Sequence, residues 1–297
     1  MAWRTVYLEQ QTKLWLSRNS LCFYHDEAEL SIPIEDIDTL IIDNHGTKIT
    51  TNLINSLANQ DVSVIICDSS HLPSTVILPY AKHSRQAKIS SDQIKMRQPI
   101  KKQLWQKNII QKILNQAEAL KRFNLEPSEL IKLSGLVKSG DTSNCEAIAA
   151  RIYFNQLLSD STRRQSNWYN SALDYGYSIV RSCIARSVAS HGLIASLGVF
   201  HHSELNNFNL VDDLIECYRP FVDFYVLKTV RMRHIGKELD ENLSREDRVL
   251  LTQVINENVR IRNLSYSIKH SIDITVESFI AAFQKEDVNL FELPEFC

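Results

Sequence analysis

A glutamate set among small residues is the first position in this sequence that could do chemistry. Glu146 lies in NCEAIAARIYFN, where Ala150 and Tyr153 share its face at helical spacing. A carboxylate on such an apolar face is costly unless a positive group meets it. A bound cation would meet that need, and so would a boundary ion pair with Arg151 or a distant lysine.

A histidine pair and the acidic run after it form the second candidate. His201 and His202 follow GVF, and imidazole is the commonest ligand for transition metals, although a single histidine on an apolar helix is more often a hydrogen-bonded core residue. In NLVDDLIECYRP, Asp213 and Glu216 are three residues apart, so they share a helix face, and Arg219 follows at the same step. Acids in a first helical turn also complement the helix dipole, which accounts for Asp213 but not for Glu216.

Together, Glu146, His201 and Glu216 would supply one ligand set of mixed oxygen and nitrogen atoms. Two carboxylates with an imidazole suit Mg²⁺ or Mn²⁺ with open water positions, rather than a closed zinc site. Such an ion polarises a phosphate and lowers the pKa of a bound water or hydroxyl. The three residues are far apart in sequence, so three separate helices must bring them together.

The elements available for this task change character along the chain. Residues 4–43 contain short runs of alternating apolar and polar residues, which are typical of strands. Helical spacing follows at 50–60, and two more strand-like runs follow at 62–68 and 74–80. Beyond residue 91 the pattern is helical nearly throughout, and we expect no strand there.

This change predicts an α+β protein with two domains. We expect a small N-terminal β-rich domain with one helix (1–80), a linker (81–90) and a larger all-α C-terminal domain (91–297). One of the C-terminal helices is predicted over 244–264.

Composition narrows the class of protein. The 297 residues are 44% hydrophobic and 23% charged, which is ordinary for a folded chain and excludes a disordered one. The six cysteines form no CxxC or CxxH pair, which argues against structural zinc. We find neither a signal peptide nor an apolar run of roughly 20 residues. We therefore expect a cytoplasmic protein with no membrane contact.

Charge is distributed unevenly even though the net charge is only −2. The first 80 residues hold 4 Lys and Arg against 10 acids, whereas residues 81–125 hold 11 against 2. A basic stretch of this kind is typical of a phosphate-binding surface, and a solvated helix face explains it equally well. The candidate DNA contacts are Lys82, Arg85, Lys88, Lys101 and Lys102, with Arg181, Arg186 and Arg219 as possible phosphate clamps.

Several long motifs, in order along nearly the whole chain, resemble one known family. They are MAWRTVYLEQQTKLWLSRNSLCF, CDSSHLPSTVILPY, NCEAIAARIYFN, LDYGYSIVRSCIAR and GVFHHSELNNFNLVDDLIECYRPFVD. In these segments the chain resembles the type II branch of the CRISPR-associated adaptation endonuclease and integrase, the first Cas protein.

The resemblance implies a metal-dependent enzyme that acts on DNA phosphodiesters and inserts spacers into a CRISPR array. It places the metal ligands on Glu146, His201 and Glu216, with Mg²⁺ or Mn²⁺ as cofactor and with Asp213 and His202 in support. It also implies double-stranded DNA as substrate, a homodimer, and a complex with a dimer of the second Cas protein. The exposed edge of a β-rich domain would independently allow two copies to pair.

Two other functions fit the same residues. A non-catalytic scaffold for nucleic acid or protein would keep the glutamates and histidine as paired core groups, and metal would then have no effect. A metal-dependent DNA nuclease unrelated to spacer integration would share the cation but would hydrolyse DNA without favouring strand joining.

Overall fold

Strands form the N-terminal part of the protein and helices form most of the remainder, which confirms the predicted fold class. The computed structural model describes residues 4–26, 28–78, 83–158, 167–234 and 241–297. Lys82, one of the predicted DNA contacts, lies outside the described residues.

The N-terminal part contains eight strands and the one predicted helix. In chain order they are β1 (Arg4–Leu8), β2 (Lys13–Ser17), β3 (Ser20–His25), β4 (Ala28–Pro33), β5 (Ile37–Ile42), β6 (Lys48–Ile49), α1 (Thr51–Asn59), β7 (Ser63–Cys67) and β8 (Pro73–Ile77). One sheet has the order β1-β5-β7-β8, with β8 antiparallel to its neighbour and the other pairs parallel. A second sheet has the order β4-β3-β2-β6, which leaves β4 at an edge.

Strand β5 lies between the two parts of the protein, and both of its faces are buried. Leu40 packs with Leu14 and Leu53 in a core between the N-terminal elements. Ile41 and Ile65 belong instead to the large core of the helical part. A strand that is covered on both faces reads as a near-continuous apolar run, and IDTLII departs from this only at Asp38 and Thr39, which are buried as well.

Ten helices in total are described, nine of them after the N-terminal sheets. In chain order those nine are α2 (Gln86–Ile94), α3 (Gln98–Arg122), α4 (Ser128–Ser134), α5 (Cys145–Leu157), α6 (Trp168–Ser190), α7 (Asn209–Leu214), α8 (Arg219–Tyr225), α9 (Arg245–Leu251) and α10 (Ile268–Lys285). Within the described ranges, no helix has the length and apolar character needed to cross a membrane.

Helix α2 occupies part of the stretch predicted to be a linker. It begins at Gln86, inside the predicted 81–90 segment. Polar side chains hold it in place: Gln93 donates to the carbonyls of Ile194 and Leu197, and Ser90 donates to that of Gly192. A helix attached by such bonds needs little apolar periodicity, so the pattern did not reveal it.

A small sheet replaces part of the all-α region that the sequence predicts. Strands β9 (Asn258–Ile261), β10 (Leu264–Ser267) and β11 (Glu295–Phe296) form it in the order β10-β9-β11. The helix predicted over 244–264 is therefore wrong beyond α9 and the short 3-10 turn at Thr252–Asn256. Arg262 and Asn263 have positive φ and make the tight turn between β9 and β10.

Helices α6 and α8 approach closely at a glycine. A Cβ added to Gly176 would lie 2.6 Å from Cγ1 of Val222, a fully buried side chain. Glycine in a helix interior normally costs about 1 kcal/mol relative to alanine, so this close packing explains its presence here.

Replacing Gly176 with alanine should therefore destabilise the protein instead of stabilising it. We expect Gly176→Ala to lower the free energy of unfolding by about 1–3 kcal/mol, because overpacking outweighs the gain in helix propensity. Chemical denaturation would measure the change. In a Val222→Ala background, which lacks the contacting methyl group, Gly176→Ala should cost less free energy of unfolding than it does in the parent protein. An alanine variant more stable than the parent would contradict the close contact.

Candidate metal centre

Helix α3 presents a row of polar side chains to the interior of the protein. Asn108, Lys112 and Asn115 are spaced by four and three residues, so they share one face, and all three are buried. Nδ2 of Asn108 donates to the carbonyl of Asp213 at 2.6 Å, and Nδ2 of Asn115 donates to that of Cys217 at 3.0 Å. These bonds fix the backbone on both sides of Glu216.

Glu146 is held by the start of helix α5. The carboxylate of Asp141 accepts the backbone N–H groups of Cys145 at 2.8 Å and Glu146 at 3.0 Å. It thereby satisfies two of the N–H groups that a helix leaves free in its first turn. With the backbone fixed in this way, the side chain of Glu146 extends toward α3 and is 29% exposed.

Lys112 joins the two glutamates. Its Nζ donates to Oε1 of Glu146 at 2.6 Å and to Oε2 of Glu216 at 2.5 Å. Arg219 adds a second cation, since its Nε donates to Oε1 of Glu216 at 2.8 Å. The ammonium therefore lies between the two carboxylates, where a metal ion with the same ligands would lie.

The buried charges stabilise one another. Burial disfavours the charged form of Glu216, but Lys112 and Arg219 outweigh it and lower the pKa of this carboxyl to about 2. Burial likewise disfavours the ammonium of Lys112, but Glu216 and Glu146 outweigh it and raise its pKa. Glu216 and Lys112 are therefore both ionised at neutral pH.

A cavity of about 260 Å³ opens beside these groups. Both glutamates, Lys112 and Arg219 line it, together with Gln116, Ala150, Phe154, Tyr177 and Asp223. Ala150 thus shares the surroundings of Glu146 as its spacing predicts, whereas Tyr153 is fully buried. The arrangement offers carboxylate oxygens to a cation and a guanidinium to an anion.

His201 is positioned by Asp213. Nδ1 of the histidine lies 2.7 Å from Oδ1 of the carboxylate, and the same carboxylate accepts the N–H groups of Val199, Phe200 and His201. An Nδ1–H that donates to Asp213 leaves Nε2 with a free lone pair, which is the arrangement common in metal-binding histidines. The hydrogen bond to Asp213 raises the pKa of His201, with burial opposing it and nearby acidic charge adding to it.

The predicted ligand set is only partly assembled. Glu146 and Glu216 meet at Lys112, whereas His201 lies outside the lining of the cavity. Among the described residues, no three His, Cys, Asp or Glu side chains form a group that could hold a metal ion. His202 is exposed, with Nδ1 against the carbonyl of Phe200. The donor chemistry of Glu146, Glu216 and His201 nevertheless fits Mg²⁺ or Mn²⁺, and the ammonium of Lys112 already occupies the place of a cation.

The predicted clamps Arg181 and Arg186 are engaged within the protein. Arg181 pairs with Asp212 through Nε at 2.5 Å and Nη2 at 3.0 Å. Arg186 is 4% exposed and donates to the carbonyl of Asp61, so this conformation does not present it to a phosphate.

The other described candidates for DNA contact lie on α3 and near α2. Arg85 and Lys88 are exposed at and beyond the start of α2. Lys101 and Lys102 lie in the first turns of α3, and Lys102 packs against Gly140 in the turn that leads to α5. Lys101 and Lys102 therefore lie on the same helix as Lys112 and closer to its start.

Lys112 is the residue that sequence reasoning missed. In the sequence it is only one of the 11 Lys and Arg residues in 81–125. The one available signal was the spacing of Asn108, Lys112 and Asn115, which are polar and lie beside the apolar positions Ile109 and Ile113. A polar face beside an apolar face is also typical of a helix with its polar side in solvent, so this spacing alone does not reveal buried partners.

Comparisons with known proteins agree on one family. The family model for CRISPR associated protein Cas1 matches residues 6–259. The CRISPR-associated endonuclease Cas1 of Neisseria meningitidis is 37% identical, over 99% of this chain and 97% of that protein. These matches confirm the resemblance found in the motifs.

Solved structures show the same fold at low sequence identity. A Cas1 protein from Thermotoga maritima superposes with a TM-score of 0.75 at 17% identity, covering 95% of this chain and 97% of that one. A casposase bound to its integration product superposes with a TM-score of 0.74, also at 17% identity, covering 96% and 91%.

The role of Asp213 can be tested through the pKa of His201. We expect Asp213→Asn to lower this pKa, because the variant loses the negative charge that favours the imidazolium. Titration of the histidine ring signals by NMR would measure it. Asp212→Asn is the matched control and should have a smaller effect, since Asp212 pairs with Arg181. An unchanged His201 pKa in Asp213→Asn would contradict the contact.

Proposed function

This chain belongs to the CRISPR-associated Cas1 family, and on that premise we propose that it is a metal-dependent DNA endonuclease and integrase of CRISPR adaptation. Its substrates would be double-stranded spacer precursors and the CRISPR repeat. Its place of action would be the cytoplasm.

One observation supports the catalytic part of the proposal more than any other. Glu146 and Glu216 come from separate parts of the chain and approach a single positive atom, Nζ of Lys112, at 2.6 and 2.5 Å. A cation between two carboxylates in a buried site relieves their mutual repulsion. The same site has Arg219 within reach of an anion, and His201 is hydrogen bonded to Asp213, three residues before Glu216.

Glu146, Glu216 and His201 would hold the divalent cation. When bound, Mg²⁺ or Mn²⁺ would polarise the scissile phosphate and stabilise charge on the attacking and leaving oxygens. Asp213 would accept a hydrogen bond from Nδ1–H of His201, which leaves Nε2 as the ring nitrogen available to the metal. Arg219 would attract a phosphate oxygen. The 3′-hydroxyl of a DNA fragment, or water in the nuclease reaction, would attack the phosphate.

No side-chain nucleophile is needed for such phosphoryl transfer. Burial raises the pKa of the Cys217 thiol beside Glu216, so it is unsuited to attack.

The proposed partners are DNA, a second copy of this chain and a dimer of the second Cas protein. Cas1–Cas2 complexes and a casposase–DNA product are among the structures with the same fold. The edge strand β4 is largely exposed and has unpaired backbone groups on one side, which suits association with another copy.

Removal of one carboxylate should abolish the chemistry. We expect Glu146→Gln to reduce Mn²⁺-dependent cleavage and strand joining more than about 100-fold, since loss even of an outer-shell partner costs 10–100-fold. The assay would follow labelled DNA with a free 3′-hydroxyl into a repeat-bearing target. Glu129→Gln, on the exposed face of α4, is the matched control and should keep full activity.

The same assay separates the competing functions. Undiminished joining by folded Glu146→Gln would contradict the proposed site. Hydrolysis without any joining would favour a nuclease unrelated to integration. A scaffold would show neither activity, and its melting temperature would not change with Mn²⁺.

DNA affinity should depend on salt through the start of α3. We expect affinity to fall steeply as salt rises, and Lys101→Gln/Lys102→Gln to reduce the slope of log K against log [salt] by about 2, because two phosphate contacts are lost. Lys13→Gln/Lys48→Gln removes two exposed lysines from paired strands β2 and β6, and should leave the slope unchanged. A flat salt dependence of the unmodified protein would contradict phosphate binding.

A further inference from the structure

We propose that Lys112 is an internal counterion that holds Glu146 and Glu216 together before metal binds, and that a divalent cation must displace it. This inference rests on the proposed function, since it concerns the same two carboxylates. It assigns to α3 a residue that controls metal affinity without being a metal ligand itself.

The ammonium of Lys112 uses the two carboxylate oxygens that a bridging metal ion would need. Nζ of Lys112 lies 2.6 Å from one carboxylate and 2.5 Å from the other. An ion bound to the same two oxygens at about 2.1 Å would compete with this nitrogen for their lone pairs. An ammonium that close to a divalent ion would be strongly repelled in a buried site. The two positive groups are therefore alternatives.

Lys112 is built into the protein and is not a flexible surface lysine. Only 7% of its side chain is exposed, and the neighbouring bonds of Asn108 and Asn115 fix the backbone on which it acts. Lys112 therefore always competes with a metal ion for the oxygens of the two glutamates. A tethered cation of this kind acts at high effective concentration, so it weakens the binding of any free cation for the same carboxylates.

The displaced ammonium has an acceptor nearby. Gln116 lies one turn further along α3 and lines the same cavity. Its Oε1 is buried and accepts no hydrogen bond from any residue that the structure describes. A move of the lysine head toward this oxygen would free the carboxylates while keeping one hydrogen bond. The cavity of about 260 Å³ provides the space.

The decisive variant is Lys112→Met, which keeps an unbranched side chain one heavy atom shorter and removes its charge. We expect the dissociation constant for Mn²⁺ to fall at least tenfold, equivalent to about 1.4 kcal/mol. We also expect the metal-free protein to melt several degrees lower, since Glu146 loses its cation and Glu216 keeps only Arg219, and Mn²⁺ to restore the loss. Titration calorimetry and thermal melting of the full chain measure both quantities, without any need for activity.

Two further variants complete the design. Lys107→Met is the matched control on α3: Lys107 donates to the carbonyls of Val288 and Asn289, so Mn²⁺ affinity should not change. Lys112→Arg retains a cation with a bidentate donor geometry, so it should bind Mn²⁺ more weakly than the parent. If Lys112→Met does not fold, Lys112→Gln removes the same charge and takes its place, because unchanged Mn²⁺ affinity there overturns the proposal.

The outcomes separate the two hypotheses. If Mn²⁺ binds the parent protein and Glu216→Gln removes that binding, the metal site stands. Unchanged or weaker Mn²⁺ binding by folded Lys112→Met would then overturn only the role of Lys112 as competitor, and would make it a structural residue. If neither the parent nor Lys112→Met binds Mn²⁺, the metal site of the proposed function fails as well.

Discussion

The charge balance between one lysine and two glutamates governs this structure. Lys112 lies on α3, Glu146 on α5 and Glu216 in the turn between α7 and α8, and each charge would be costly to bury alone. Replacing a buried ion pair by apolar residues is often neutral for stability, whereas removing one partner typically costs 3–5 kcal/mol. The assembled group therefore has little net effect on the stability of the protein, but loss of any one member would destabilise it. A site that holds two glutamates around one ammonium suits cation binding better than fold stability.

The surrounding residues act mainly by fixing backbone. Asn108 and Asn115 attach α3 to the segment around Glu216, and Asp141 fixes the first turn of α5. Asp213 binds three successive backbone N–H groups as well as the imidazole of His201. Most of the polar groups near the site therefore serve to orient a few side chains. Such support is what a reaction that relies on positioning and electrostatics requires.

Much of this arrangement could be predicted from the sequence, because local patterns carry it. Alternation predicts the N-terminal strands, helical spacing predicts α1 and the mostly helical part beyond residue 91, and the motifs lead to Glu146, His201 and Glu216. The position of Lys112 could not be predicted, since a lysine in a basic helix looks the same whether solvent or a carboxylate faces it. The C-terminal sheet was missed because β9 has four residues and β11 has two, too few to show a period. The hydrogen bonds that Asp213 accepts depend on tertiary contacts, which no local sequence pattern records.

The end of the chain has a practical consequence for anyone who handles this protein. Asn115 also donates to the carbonyl of Pro294 at 3.0 Å, and Arg122 donates to that of Cys297. The residues on either side of strand β11 thus accept hydrogen bonds from α3, the helix that carries Lys112. Removal of residues 294–297 would cost Asn115 one of its two carbonyl acceptors. Labels are better placed in the exposed loops of the N-terminal sheets, away from these hydrogen bonds.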